Sequence, residues 1–251
     1  MNPIWEFFLL VFVGFATGFV NTIAGGGSLV TLPILIFLGL PADVANGTNR
    51  IPIFIQSIVS IAGYRSKGLK VRKFAWYLSI MAFAGALVGA NLALDVKGEL
   101  FNRILAIVMV VVVIFMIIKP KSTALLQGER ITGKYFWISF FLFFFIGVYA
   151  GFIQAGTGIF TLLALSSVNH ISLVKGNVIK ALMILILTTG ALTLFILNVE
   201  INWRYGLYMA LGNAVGAWWS SRWSVNKGDR TVKLFLIIMI VAMAIKLWFF
   251  D

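Results

Sequence analysis

Two short polar interruptions break an otherwise apolar chain. One is Asn21-Thr-Ile-Ala-Gly25-Gly26-Gly27-Ser28, and the other is Gln154-Ala-Gly156-Thr157-Gly158. Three consecutive glycines oppose continuous helix and let backbone amides turn toward a central ligand. A helix starting near Ser28 presents free N–H groups, and such a terminus attracts anions. By symmetry, the second interruption opens another half-helix, so two helix ends are expected to converge on one anion. Polar residues follow each break: Asn46, Gly47, Thr48, Asn49 and Arg50, with Gln56 beyond, and Lys175, Gly176, Asn177 and Lys180. Arg50 and Lys180 stand about a turn into their segments, where they could neutralise an oxyanion or snorkel to the headgroups. Lys175 lies nearer the inner boundary, where topology charge is its default explanation.

Other chemistries fit less well. The glycine run lacks the lysine of a GxxxxGK[ST] loop and does not join a strand to a helix, so phosphate binding of that type is not expected. Asp43 is the acidic residue nearest a break, a coupling candidate that could pair with Arg50 or carry a proton, though its place after Pro41 also suits a helix cap. His170 is the lone histidine and reads as a loop residue. With no cysteine and one histidine there is neither a disulfide nor a metal cluster. No nucleophile and base stand out, so an enzyme is not expected.

The elements that must hold these residues are membrane helices. Of 251 residues 61% are apolar and 11% charged, against about 45–50% and 25% in soluble domains. The predicted fold is an all-α polytopic membrane protein. Its ten apolar segments lie at 4–20, 28–40, 44–62, 74–94, 101–118, 135–153, 159–169, 173–197, 203–219 and 231–249. A spanning helix needs about 20 residues, so 28–40 and 159–169 read as half-helices or re-entrant segments, and eight, nine or ten spans can be counted. The +12 net charge follows the positive-inside rule rather than marking a nucleic-acid protein. Arg65, Lys67, Lys70, Arg72 and Lys73 are placed in the cytoplasm, with Lys119, Lys121, Arg130, Lys134, Arg222, Lys227, Arg230 and Lys233. Asp95, Lys97, Glu99, Glu200 and Arg204 then lie outside, as do both termini. Trp203, Trp218, Trp219, Trp223 and Trp248 suit an interfacial aromatic belt.

The chain also repeats itself. Gly14-Phe-Ala-Thr-Gly18-Phe-Val-Asn-Thr-Ile-Ala-Gly25 is echoed by Gly147-Val-Tyr-Ala-Gly151-Phe-Ile-Gln-Ala-Gly-Thr-Gly158, and Gly85-Ala-Leu-Val-Gly89 by Gly212-Asn-Ala-Val-Gly216. The glycine pairs at 85/89 and 212/216 read as close helix packing. Three echoes in order, counting 45–50 against 174–180, point to a duplication. Residues 1–119 form one membrane repeat, 120–134 a cytoplasmic connection and 135–251 a second repeat. An odd number of segments in each half inverts the second copy. Inverted repeats with interrupted helices suit alternating access around a site at their interface.

The stretch GFATGFVNTIAGGGSLVTLPILIFLGLPADVANGTNR at 14–50, with the degenerate copy GVYAGFIQAGTGIFTLLAL at 147–165, resembles the sulfite exporter TauE/SafE family. The resemblance covers essentially the whole chain. It implies a multi-pass inner-membrane transporter of small sulfur-containing anions, sulfite or organosulfonates such as sulfoacetate, coupled to H+ or Na+ and without a cofactor. It carries the family's breaks onto Asn21, Gly25, Gly26, Gly27, Ser28, Gln154, Gly156, Thr157 and Gly158. The polar helix starts fall on Asn46, Gly47, Thr48, Asn49 and Arg50, and on Lys175, Gly176 and Asn177. Ile159 and Phe160 stand opposite Gly26 and Gly27, so the second break is the less permissive. The expected partners are a small anionic substrate and membrane lipid, in a monomer or homodimer. An anion channel and, more distantly, a membrane-embedded enzyme are the competing readings.

Overall fold

Residues 3–96, 98–117 and 128–224 are described by a computed structural model. The expected tenth segment at 231–249, the bases at 227, 230 and 233, and Trp248 lie outside them. Among the described residues all regular structure is helical: α1 (Pro3–Ala24), α2 (Ser28–Phe37), α3 (Ala42–Thr48), α4 (Arg50–Arg65), α5 (Lys73–Leu94), α6 (Gly98–Ile117), α7 (Gly133–Phe152), α8 (Thr157–Ser167), α9 (Leu173–Asn198) and α10 (Trp203–Trp223).

Helices α1, α5, α7 and α9 are long and apolar enough to cross a membrane. Helices α2 and α8 have 10 and 11 residues, about 15 Å of rise, half of a hydrocarbon layer about 30 Å thick. They are half-helices, as their short apolar runs predict. The third expected segment, 44–62, is instead divided into α3 and α4 at Asn49. Pro52 has no N–H to offer the Thr48 carbonyl, so the hydrogen-bond ladder is interrupted there. Asn49 keeps helical dihedrals, and the two pieces stay in contact.

The described charges separate by face. Arg65, Lys67, Lys70, Arg72, Lys73, Glu129, Arg130, Lys134 and Lys175 lie at the ends of α4, α5, α7 and α9 or in the turns beside them, forming a basic face. Glu6 at the start of α1 pairs with Arg204 at the start of α10 across 3.4 Å, marking the opposite face. Large apolar side chains point outward between the faces, among them Phe141, Phe145, Leu197 and Trp219. Such a surface is suited to lipid, which solvates it without the penalty that water imposes.

Packing pairs helices from different halves. Helix α1 lies against α10 and α5 against α7, while α4 meets α10 and α5 meets α9. The glycine pairs explain the first two contacts. A Cβ built on Gly85 would sit 2.0 Å from the Phe144 carbonyl oxygen, and one on Gly212 would sit 1.9 Å from that of Val11. Only glycine permits these approaches, which bears out the packing role of both motifs. Exchanging α1, α4 and α5 for α7, α9 and α10 maps each contact onto its counterpart, consistent with an inverted repeat. One apolar core joins Leu10, Leu29, Leu32 and Leu35 to Phe101, Leu105 and Met109 of α6; a second joins α5, α7 and α9 around Leu78, Phe143 and Met183.

Candidate functional site

The two breaks meet. A Cβ added to Gly158 would lie 2.4 Å from the Gly25 Cα, and Gly25 itself has φ of +82°, a backbone region open to glycine and strained for other residues. Ser28 joins the halves further: its Oγ donates to the Gln154 carbonyl at 3.2 Å and accepts from the Gly156 N–H at 3.2 Å. Gly158, aligned with Gly25 in the repeat, already belongs to α8. The second break is therefore the tighter one, as Ile159 and Phe160 in place of glycines require.

Each break is held by polar side chains of its own half. Asn21 donates through Nδ2 to Gln56 Oε1 at 3.0 Å and accepts from the Gly27 N–H at 3.3 Å. Gln154, with φ of +53°, donates to Thr188 Oγ1 at 2.6 Å. The Thr157 hydroxyl donates to the Gln154 carbonyl at 2.9 Å. Amides at the start of α2 bond back to their own loop, Leu29 to Gly26 and Val30 to Gly27. The N–H groups expected to face an anion are thus largely engaged by the chain.

The two cations are buried and reach across the interface. Lys180, 2% exposed, donates to the carbonyls of Asn21 at 2.8 Å and Thr22 at 2.9 Å and to Asn177 Oδ1 at 2.7 Å. Arg50, wholly buried, donates to the carbonyls of Ala150 at 3.3 Å and Gly151 at 2.5 Å. It also donates to Gln154 Oε1 at 3.3 Å and Asn46 Oδ1 at 3.4 Å. Each cation therefore neutralises the negative C-terminal end of the other half's broken helix, α7 for Arg50 and α1 for Lys180. Neither snorkels. Arg50 also lies 4.5 Å from the Phe195 ring centroid, a contact that favours a desolvated guanidinium.

Donor accounting distinguishes the residues. A guanidinium offers five N–H groups, and four of Arg50's are used; its buried Nε has no partner, nor has Asn49 Nδ2. Asn49 accepts from Thr31 at 2.5 Å through its other side-chain atom. Asn46 donates to the Phe152 carbonyl at 2.8 Å.

Two expected members stand apart from this cluster. Lys175 is exposed on the basic face and pairs with Glu129 at 2.6 Å, and Glu129 also pairs with Arg72. The Lys175 ammonium and then the Arg72 guanidinium hold the Glu129 carboxyl below the usual carboxylate range, against partial desolvation. Asp43 is exposed in the first turn of α3, whose N-cap is Pro41. Among the described residues Arg50 has no carboxylate partner. His170 is in the turn before α9, as expected, yet is buried.

Four residues of the site were not singled out from sequence. Thr22 shares a hydrogen bond with Ser60 at 3.0 Å, Tyr64 donates to the Thr22 carbonyl at 3.2 Å, and Thr188 supports Gln154. The four-residue spacing that carries on from Gln56 to Ser60 and Tyr64 along α4 is the signal that could have found two of them.

The family model for the sulfite exporter TauE/SafE matches residues 10–247. The chain belongs to this family. It is 30% identical over 244 residues to "Probable membrane transporter protein ORF9" of Sinorhizobium sp., covering 96% of this chain and 93% of the relative. It is 27% identical over 240 residues to a "Probable membrane transporter protein" of Haemophilus influenzae, covering 95% and 93%. A third relative, "Probable membrane transporter protein YfcA" of Escherichia coli K12, is 29% identical over 240 residues, covering 95% and 88%. No solved structure matches the chain. The protein is a membrane transporter, and the buried junction of its breaks is the candidate substrate site.

Proposed function

We propose that the protein is a secondary transporter that moves a small sulfur-containing oxyanion, sulfite or an organosulfonate such as sulfoacetate, across the cytoplasmic membrane by alternating access. The observation that carries this reading is the pair of buried donors without acceptors, Arg50 Nε and Asn49 Nδ2. An unmatched N–H in the interior is costly, and an anionic oxygen is the acceptor that relieves it while balancing the Arg50 charge. Family membership supports the sulfur chemistry. The two halves, 1–119 and 135–251, move about the meeting point of Gly25 and Gly158, and an H+ or Na+ gradient drives the cycle. The basic face is cytoplasmic by the positive-inside rule, with both termini outside.

Counterflow in sealed proteoliposomes, with labelled sulfite and then sulfoacetate, tests this reading. Wild type shows saturable exchange, and Asn49→Ala raises the half-saturating concentration about tenfold, the effect of losing one charge-assisted hydrogen bond. Folded protein that exchanges neither anion overturns the sulfur assignment. Currents that do not saturate and ignore an opposing gradient overturn the carrier.

A further inference from the structure

We propose that Arg50 and Lys180 are the two gates of the transporter, each closing one face by clamping a continuous helix of one half onto the broken helix of the other. This rests on the transporter reading above and adds which bonds must break to admit substrate from each side.

The clamps correspond under the repeat. Arg50 begins α4 and Lys180 lies at the start of the third turn of α9. Each bonds two successive carbonyls at the end of the opposite half's first helix, Ala150 and Gly151 or Asn21 and Thr22. Each is also braced by an asparagine one turn earlier on its own half, Asn46 or Asn177. The chemistry is shared although one group is a guanidinium and the other an ammonium.

Their depths differ. Lys180 stands seven residues from Leu173 at the basic face, about 10 Å at 1.5 Å per residue. Arg50 stands fifteen residues from Arg65 on that same face, about 22 Å away. Around Arg50 the contacts run to the opposite face: Asn46 to Phe152, and the Thr48 hydroxyl accepting from the Asn202 N–H at 3.0 Å. Around Lys180 they run to the basic face, through Thr22, Ser60 and Tyr64. With both clamps made, the junction of Gly25 and Gly158 is buried from either side.

Access from the basic face requires the end of α1 to part from α9, and access from the other face requires the end of α7 to part from α4. Among the described residues the Lys180 clamp spans the first seam, and the Arg50 clamp, with the neighbouring bond from Asn46 to the Phe152 carbonyl, spans the second. A substrate oxyanion is a stronger acceptor for either cation than a peptide carbonyl, so its arrival replaces the carbonyls and releases the seam. Opening without an anion breaks the carbonyl bonds of the clamp with no stronger acceptor to replace them, which opposes leak.

The chain has no cysteine, so single reporters can be introduced directly. Ser60→Cys lies buried on the basic side of Lys180, and Thr48→Cys lies buried beside Asn202. Each is labelled with a membrane-impermeant maleimide applied to one side of sealed vesicles. Lys180→Gln is expected to raise labelling of the Ser60→Cys reporter from the basic face at least fivefold and leave the Thr48→Cys reporter unchanged; Arg50→Gln does the reverse. Lys180→Arg and Arg50→Lys return labelling toward the closed level. If the neutral variants do not fold, Asn177→Ala and Asn46→Ala, which keep the cation and remove its brace, give smaller rises with the same sidedness. Labelling that rises on both faces together, or on neither, overturns the gates. The readout needs no substrate. Side-specific labelling without sulfur-anion exchange keeps the gates and sinks the substrate assignment, whereas exchange with unaltered labelling sinks the gates alone.

Discussion

Gly158→Ala separates a structural need for glycine from ordinary helix preference. Position 158 lies in the first turn of α8, where alanine in place of glycine gains at most about 1 kcal/mol of helix propensity. Against this, the new Cβ would stand 2.4 Å from the Gly25 Cα and 2.8 Å from its carbonyl oxygen. Both are backbone atoms, so no side chain can swing aside, and the overpacking penalty falls at the upper end of its range, about 3 kcal/mol. The net loss is about 2 kcal/mol, or roughly 4–8 °C in melting temperature for a chain of this size. Gly39→Ala is the control. Gly39 has φ of +90° but nothing within 4 Å of an added Cβ, so it carries only left-handed strain of about 1 kcal/mol. Melting in detergent and counterflow in proteoliposomes are measured for both variants. Gly158→Ala is expected to melt lower than Gly39→Ala and to lose exchange that Gly39→Ala keeps. A Gly158→Ala protein that melts at or above wild type would refute the contact between the two breaks as the reason for glycine there.

Other perturbations follow from the same structure. Gly89→Ala and Gly216→Ala drive a Cβ to 1.8 Å from the Val148 oxygen and 2.2 Å from the Phe15 oxygen. Both are therefore expected to lower the melting temperature, each by the equivalent of about 1–3 kcal/mol, and an effect confined to one half would contradict the exchanged packing. Glu129 has a lowered folded pKa, so its bridge stabilises above the unfolded carboxylate pKa, about 4.3, and is lost as pH falls through the folded value. Wild type should out-melt Glu129→Gln at neutral pH by the equivalent of up to about 1 kcal/mol, since both cations are half exposed, with the gap closing below about pH 4 in a melting series. Asp43→Asn should leave exchange and its pH profile unchanged, because Asp43 is exposed and makes no ion pair with Arg50; a shifted profile would restore it as the coupling group.

Much of the fold is legible in the chain because lipid demands long apolar runs, and short ones then declare themselves. The half-helices follow from their length, and the glycine pairs from spacing that has few other uses. The division at Asn49 is not legible in the sequence because the effect of Pro52 appears four residues upstream of the proline itself. At the site, the glycines, Asn21, Ser28, Gln154, Thr157 and both cations carry a recognisable pattern. Their partners do not. Arg50 and Gly151 are about a hundred positions apart, and the acceptors are peptide carbonyls, which every residue type possesses. Thr188 and Ser60 pass as neutral packing residues of apolar helices until the polar group opposite each is known. Nearness in sequence suggests that Lys175 and Asp43 belong to the site, whereas helix direction carries them to the two surfaces.

The exchange of helices between halves bears on the order in which the molecule can be made. When α1 leaves the ribosome its glycine face has no mate, because α10 is still some two hundred residues from synthesis. Helix α5 likewise waits for α7. Each half enters the membrane with an open seam that its own helices cannot close, and the contacts that close it are long-range ones, which form late. Two half-chains produced separately should consequently be poor proteins alone and competent partners together, assembling as complementary strands do rather than as two finished bodies that dock.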